Sequence, residues 1–221
     1  MDTANFAQPP LRRRGRPTKG SSAPSQTRAA VVRAGVALLT EHGVTATGID
    51  QVLNAAGIPK GSFYHYFGSK ENFLKEVVLA YGDYFSRKLA RHFENADAPP
   101  LARIEAFVAD AAAGMARYEF RRGCLAGNLG QEVAALSDDL RRAIVATFEG
   151  WEAQLADCLH QAVARGDIAA DADVAELASA FWTGWEGAVL RAKLQRDGNF
   201  LFRHARQFIA ALPRNLAPPA A

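Results

Sequence analysis

Five neighbouring residues, Lys60, Gly61, Ser62, Tyr64 and His65, combine hydrogen-bonding side chains with very small ones. The Lys, Ser, Tyr and His side chains can bond to base edges or to phosphate oxygens of DNA. Gly61 and Ser62 add little bulk, so a helix that carries them can press closely into a major groove. This group of residue types therefore favours non-covalent recognition of nucleic acid.

The flanking residues predict a helix-turn-helix over residues 48–67. Apolar positions such as Val52 keep helical spacing up to Gly57, which permits the left-handed backbone of a tight turn. Phe63 and Phe67 anchor the second helix in a core and leave its basic and polar residues outside.

The helix ends carry recognisable signals. The run from Thr47 to Asp50 reads as a capping box, in which the Thr47 hydroxyl accepts the backbone N–H of Asp50. Pro59 suits the first turn of the next helix, and Ser69 caps a long helix after it.

The rest of the chain has helical periodicity, and no segment alternates apolar and polar residues as a strand would. We therefore expect an all-α protein of about nine helices. It should have an N-terminal three-helix DNA-binding domain and a C-terminal helical domain for ligand binding and dimerisation. The helices are predicted near residues 25–42, 49–56, 59–67, 69–93, 104–115, 124–136, 137–165, 173–194 and 200–212.

The net charge of +3 hides an asymmetry. Residues 12–75 hold ten Lys or Arg against three acidic residues, whereas the remainder is mildly acidic. Only the front of the chain should therefore face a polyanion. No membrane span or signal peptide is apparent, and two cysteines cannot form a disulfide framework, so we expect a cytoplasmic protein.

The segment AAGIPKGSFYHYFGSKE, residues 55–71, resembles the recognition motif of the TetR family of one-component transcriptional regulators. The resemblance extends over residues 25–85, with Pro59 in place of a more usual Ser or Thr. GCLAGNLGQE at residues 123–132 and FWTGWEGAVLRAKLQRD at residues 181–197 resemble a subgroup that includes acrylate-responsive repressors of acrylate utilisation genes.

This resemblance implies a helix-turn-helix DNA-binding domain over 25–70 and an effector-binding and dimerisation domain over 71–221. It implies that Thr47, Tyr66 and Lys70 hold phosphates. Helix N-termini favour anions independently of any family. Lys60, Gly61, Ser62, Tyr64 and His65 should face bases and nearby phosphates. The alternative for Tyr64 and Tyr66 is that they merely pack.

Residues 1–24 are expected to form a flexible basic arm. Arg13, Arg14 and Arg16 lie in a sequence that resembles an AT-hook core, which places guanidinium groups in a narrow minor groove. The alternative is a solvated tail with only non-specific attraction to DNA.

The C-terminal part suggests an effector pocket and a homodimer interface. Cys124 and Asn128 share a helix face, and the cysteine is either a sensor thiol, favoured as thiolate by Arg121 and Arg122, or an inert packing residue. Small residues at Ala180, Gly184 and Ala188 form a ridge on the eighth helix that either meets a partner subunit or packs internally. The homodimer interface is expected to use the last two helices. Aromatic side chains should supply the pocket walls, at Phe148, Trp151, Trp182 and Trp185.

Other classes of protein fit less well. The five histidines lack metal-ligand spacing, no nucleophile or nucleotide-binding motif is present, and we expect neither a cofactor nor an enzyme. A purely architectural DNA binder would not need the long C-terminal part. We therefore expect a repressor that binds a palindromic operator and is released by a small-molecule effector, with activation of transcription as the alternative.

Overall fold

A computed structural model describes residues 22–133, 135 and 137–214 of the chain. That part contains nine α-helices and no strand, as the sequence predicts. They are α1 Ser22–His42, α2 Ile49–Ala56, α3 Phe63–Phe67, α4 Lys70–Phe93, α5 Pro100–Arg117, α6 Leu125–Val133, α7 Asp138–Ala164, α8 Val174–Gln195 and α9 Asn199–Ala211.

The first helix begins at Ser22, three residues earlier than expected. Pro24 fits there because the first turn of a helix needs no backbone N–H donor at that position. Residues 22–24 therefore belong to α1, and the rest of the predicted arm, with Arg13, Arg14 and Arg16, lies outside the described residues.

The helices α1 to α3, which we call the reading head, form the predicted helix-turn-helix with one local difference. Gly57 takes the left-handed conformation at φ +70°, as its place in the turn requires. Residues Lys60–Ser62 form a 3-10 turn ahead of α3, where one continuous helix was expected. The Ser62 N–H donates to the Pro59 carbonyl at 3.0 Å, so this start needs no capping hydroxyl.

The predicted capping box of α2 is wrong by one residue. The helix begins at Ile49, and the backbone N–H of Gly48 donates to Gln51 Oε1 at 2.8 Å. The Thr47 hydroxyl is buried and meets no partner among the described residues. Because Gly48 occupies the cap position, the reciprocal partner three residues later is Gln51 rather than Asp50.

The remaining helices form one bundle around α4, α7 and α8. Ser69 caps α4 through its side-chain oxygen, as the sequence predicts, and Ser137 and Asp173 cap α7 and α8 in the same way. The sixth helix is shorter than the predicted span of residues 124–136. No helix in the described part is long and apolar enough to span a membrane.

The reading head packs directly on the start of α4. The rings of Phe63 and Phe67 lie 5.3 and 5.1 Å from the ring of Phe73. Arg28 of α1 pairs with Glu76 of α4. The reading head is therefore joined to α4 by an apolar contact and an ion pair.

Candidate DNA-binding surface and effector cleft

The exposed face of α3 and its preceding turn carries the residues predicted to read DNA. Tyr64 is 65% exposed, and Lys60, Gly61 and His65 are exposed as well. Lys60 Nζ lies 2.5 Å from Asp50 Oδ2, and both side chains are exposed to solvent. A DNA phosphate could take the place of the Asp50 carboxylate as the partner of Lys60. The structure thus brings these four predicted residues onto one accessible surface.

The other predicted DNA contacts lie in different surroundings. Ser62 is half-buried, and so is Tyr66, whose ring packs 5.3 Å from that of His65. Lys70 is exposed at the first position of α4, where the helix dipole favours an anion. Thr47 is buried, so its hydroxyl can reach a phosphate only if the side chain turns outward.

A cleft of about 840 Å³ opens between α1, α4, α5 and α8. Apolar side chains line its inner part, including Phe85, Met115 and Val189. Six basic residues and a single carboxylate, that of Asp110, supply its charge. The basic residues are Arg33, Arg87, Lys88, Arg91, Arg117 and Arg122. Such a cleft suits an anionic ligand with an apolar portion.

Only two of the predicted effector-binding residues line this cleft, Cys124 and Trp185. The Asn128 side chain is occupied elsewhere, since its amide donates to the Thr40 carbonyl at 3.2 Å. Trp151 and Trp182 are buried with ring centres 5.4 Å apart, and Phe148 packs against Trp151. These aromatic residues pack against one another in the bundle core and do not line the cleft.

The surroundings of Cys124 do not favour a thiolate. Burial and the Glu186 carboxyl raise the pKa of this thiol well above its usual value. Arg121 and Arg122 instead pair with Glu41, at 3.3 and 3.2 Å. The expectation that these arginines activate Cys124 is therefore wrong, because both form ion pairs with Glu41 of α1 instead.

Sequence reasoning missed two charged residues that line the cleft, Lys88 and Asp110. Lys88 is almost fully buried, and its Nζ lies 3.2 Å from Asp110 Oδ2. His92 Nε2 lies 3.0 Å from the same oxygen. Burial alone would raise the pKa of the Asp110 carboxyl, but the hydrogen bond to His92 and the charge of Lys88 outweigh burial, so this pKa is lowered. The helical spacing of the sequence could have indicated that Lys88 is buried, since it places Lys88 on the same α4 face as the apolar residues Tyr81 and Phe85.

Glu186 is a further buried titratable group, beside Cys124. Burial raises its pKa from 4.5 to about 7, although the Cys124 thiol lowers it in part. One of its carboxyl oxygens, Oε1, has no hydrogen-bond partner among the described residues. The neutral carboxyl is the form that this site prefers.

We expect the protein to lose stability as the pH rises through the range from about 4.5 to 7. In that range the unfolded chain releases the Glu186 proton and the folded chain keeps it, so ionisation favours unfolding by up to about 3 kcal/mol. Urea titrations at pH 5 and pH 8 should show that Glu186→Gln gains stability relative to wild type at the higher pH. An identical pH dependence in both proteins would contradict this assignment.

The predicted small-residue ridge on α8 is wrong at its centre. A side chain at Gly184 would overlap the His204 ring of α9, so this glycine serves packing inside the chain. Ala188 is buried in the same way. The exposed face of α8 instead carries Thr183, Gly187, Leu190 and Leu194, and Leu194 is 70% exposed.

Among the described residues, no group of three or more His, Cys, Asp or Glu side chains is placed to hold a metal ion. The surface of α3 and the cleft can both bind ligands without covalent chemistry.

Comparison with known proteins gives a consistent result. Residues 31–77 match the family of bacterial regulatory proteins, tetR family, and residues 100–209 match the tetracyclin repressor-like C-terminal domain. The chain is 47% identical over 196 residues to the transcriptional regulator AcuR of Cereibacter sphaeroides, covering 89% of each chain. It is 28% identical to the HTH-type transcriptional repressor NemR of Escherichia coli, covering 88% of this chain and 96% of that one.

A solved structure supports the same conclusion. The regulatory protein TetR from Rhodobacter sphaeroides superimposes with a TM-score of 0.80 at 46% identity, covering 84% of this chain and 98% of that chain. Proteins of this family regulate transcription and are not enzymes. The chain thus belongs to the TetR family of DNA-binding transcriptional repressors.

Proposed function

We propose that the protein is a homodimeric repressor that binds a palindromic operator and is released by a small carboxylate effector. The observation that carries this proposal is the pairing of an exposed recognition surface on α3 with a separate basic cleft in the same chain. The reading head packs on the start of α4 and the cleft is lined by its second half, so this one helix connects the two.

The operator is read by the reading head in two successive major grooves. Lys60, Tyr64 and His65 supply donors to base edges and nearby phosphates, while Lys70 and the α4 N-terminus hold the backbone. The arm carrying Arg13, Arg14 and Arg16 follows the adjacent minor groove. If the Thr47 side chain turns outward, a phosphate would give its hydroxyl the partner that it lacks among the described residues.

A dimer is needed because one helix-turn-helix reads only half of a palindrome. The exposed faces of α8 and α9 supply the interface. Leu190 and Leu194 provide apolar area on α8, and Gly187 lets a second helix approach closely. The proposed interface therefore lies on the exposed face of α8, which is a different face from that of the predicted ridge.

The effector binds in the cleft, and its carboxylate pairs with Lys88. Four further arginines, Arg33, Arg87, Arg91 and Arg117, form no ion pair or hydrogen bond with the described residues, and their charge attracts an anion to the mouth. The resemblance to acrylate-responsive repressors makes acrylate and related small carboxylates the first candidates. Binding is non-covalent, because burial raises the pKa of the Cys124 thiol and so disfavours the nucleophilic thiolate.

Release follows if the effector binds better to the state that cannot hold DNA. Lys88 lies on α4, so a ligand on Lys88 acts on the helix that carries the reading head. A changed angle of α4 alters the separation of the two heads and weakens both half-site contacts together. The regulator would act in the cytoplasm, where its operator lies.

The test is an operator gel-shift titrated with acrylate. We expect acrylate to release the wild type, and Lys88→Gln to need at least tenfold more acrylate because a charge-assisted contact is lost. Cys124→Ser should respond within about threefold of wild type. Lys75→Gln, which removes a lysine of α4 outside the cleft, is the matched control.

Each of the other outcomes is informative. A wild type that acrylate and its close relatives never release contradicts the proposed effector class. Loss of the response in Cys124→Ser would instead indicate covalent addition to the thiol.

A further inference from the structure

The turn between α1 and α2 is built around a carboxylate that belongs to another helix. Glu132 of α6 accepts the backbone N–H of Val44 at 2.9 Å and that of Thr45 at 2.9 Å. The Thr45 hydroxyl donates to it at 3.0 Å. Hydrogen bonds to a charged acceptor are the stronger kind, so this is a firm attachment.

Gly43 shows that the turn is shaped to admit this carboxylate. It has φ +78°, and an added Cβ would overlap Glu132 Oε1. The backbone therefore closes directly over the carboxyl group, and only glycine leaves the space.

The end of α1 is attached by the same part of the molecule. Asn128 donates to the Thr40 carbonyl, and Lys193 Nζ lies 3.4 Å from the carbonyls of Thr40 and Glu41. The Asn128 amide and the Lys193 ammonium group thus satisfy carbonyls that the end of a helix leaves without partners. Residues 40–45 are thus held by polar side chains from α6 and α8.

These attachments border the cleft. Thr40 lines it, and so do Arg122 and Gly123, which lie just before α6. On the other side, residues 43–45 lie only a few residues before Gly48, the N-cap of α2. A displacement of α6 by a ligand in the cleft therefore reaches the reading head through Glu132 as well as through α4.

We propose that Glu132 is the positioning residue through which α6 holds the reading head in its operator-binding orientation. The carboxylate contacts neither the DNA nor the effector and acts through the turn at residues 43–45. Loosening this attachment is how a ligand in the cleft weakens DNA binding, so the regulatory part of the inference rests on the proposed function.

The test compares Glu132→Gln with wild type in the full chain. The amide keeps the shape and one acceptor oxygen, but it removes the charge and turns a donor toward the N–H groups. Without effector, we expect operator affinity to fall at least fivefold while the melting temperature changes little. The variant should bind acrylate as wild type does. The factor by which acrylate lowers operator affinity should be at least tenfold smaller in the variant than in wild type.

Two controls separate this inference from its alternatives. Gln131→Ala changes an exposed neighbour on α6, and Glu149→Gln removes an exposed carboxylate on α7. Both should behave as wild type. Amide exchange at Val44 and Thr45 should speed up in Glu132→Gln alone.

Unchanged operator affinity in Glu132→Gln would overturn the positioning role, whatever acrylate does. If acrylate releases wild type and variant equally, the coupling role is wrong and the proposed function stands. If acrylate fails to release the wild type while the effector-free affinity still drops, the proposed effector class is wrong and the positioning role stands.

Discussion

Replacing Tyr64 with alanine should weaken operator binding at least 30-fold and leave the fold intact. The side chain is 65% exposed, so its removal uncovers little core. A good contact to a base is worth about 1–3 kcal/mol, and a dimer loses two of them at once. Fluorescence anisotropy at a fixed salt concentration measures the affinity, and thermal melting checks the fold.

Tyr84→Ala is the matched control for this result. Tyr84 is a tyrosine of similar exposure, 54%, but it lies on α4 beside the cleft. It should bind operator as wild type does when no effector is present. Normal operator affinity in Tyr64→Ala would mean that α3 does not face the bases.

Trp151→Ala should lower the free energy of unfolding by about 3–5 kcal/mol, the usual cost of removing a large aromatic side chain from a core. Trp151 is fully buried, and its ring centre lies 4.5 Å from that of Phe85 and 5.4 Å from that of Trp182. It therefore joins α4, α7 and α8 at the centre of the bundle. Urea unfolding at one fixed protein concentration measures the loss, because the proposed dimerisation would make stability depend on concentration.

Trp151→Phe separates packing from polarity at the same position. The indole N–H has no acceptor among the described residues, so phenylalanine removes an unsatisfied donor and leaves a smaller cavity. We expect it to cost less than half of the alanine loss. Equal losses in the two variants would show that the indole N–H has a partner in solution.

The elements were predictable because local chemistry decides them. Glycines at helix ends, hydroxyl or carboxylate caps at Ser69, Ser137 and Asp173, and helical apolar spacing act within a few residues of each other. The exposed face of α3 was predictable for the same reason, since Phe63 and Phe67 determine which side of this helix is buried.

The errors arose where distant residues decide. Trp151 and Trp182 were expected in a pocket wall, but their rings pack against each other and against Phe85 in the core. Gly184 was expected at a subunit interface, yet His204 from α9 occupies the space beside it. Periodicity shows that a residue lies on a helix face, but it does not show which neighbour that face meets.

The attachment of Glu132 to residues 43–45 limits how far this DNA-binding unit can be exchanged between regulators. A chimera that joins residues 22–67 to the C-terminal part of a different repressor leaves the N–H groups of Val44 and Thr45 without their acceptor unless that part brings a carboxylate to the same place. The reverse chimera needs a glycine at the position of Gly43, or the carboxylate has no room. Engineered sensors built from this chain should therefore transfer Gly43 and Glu132 as a pair.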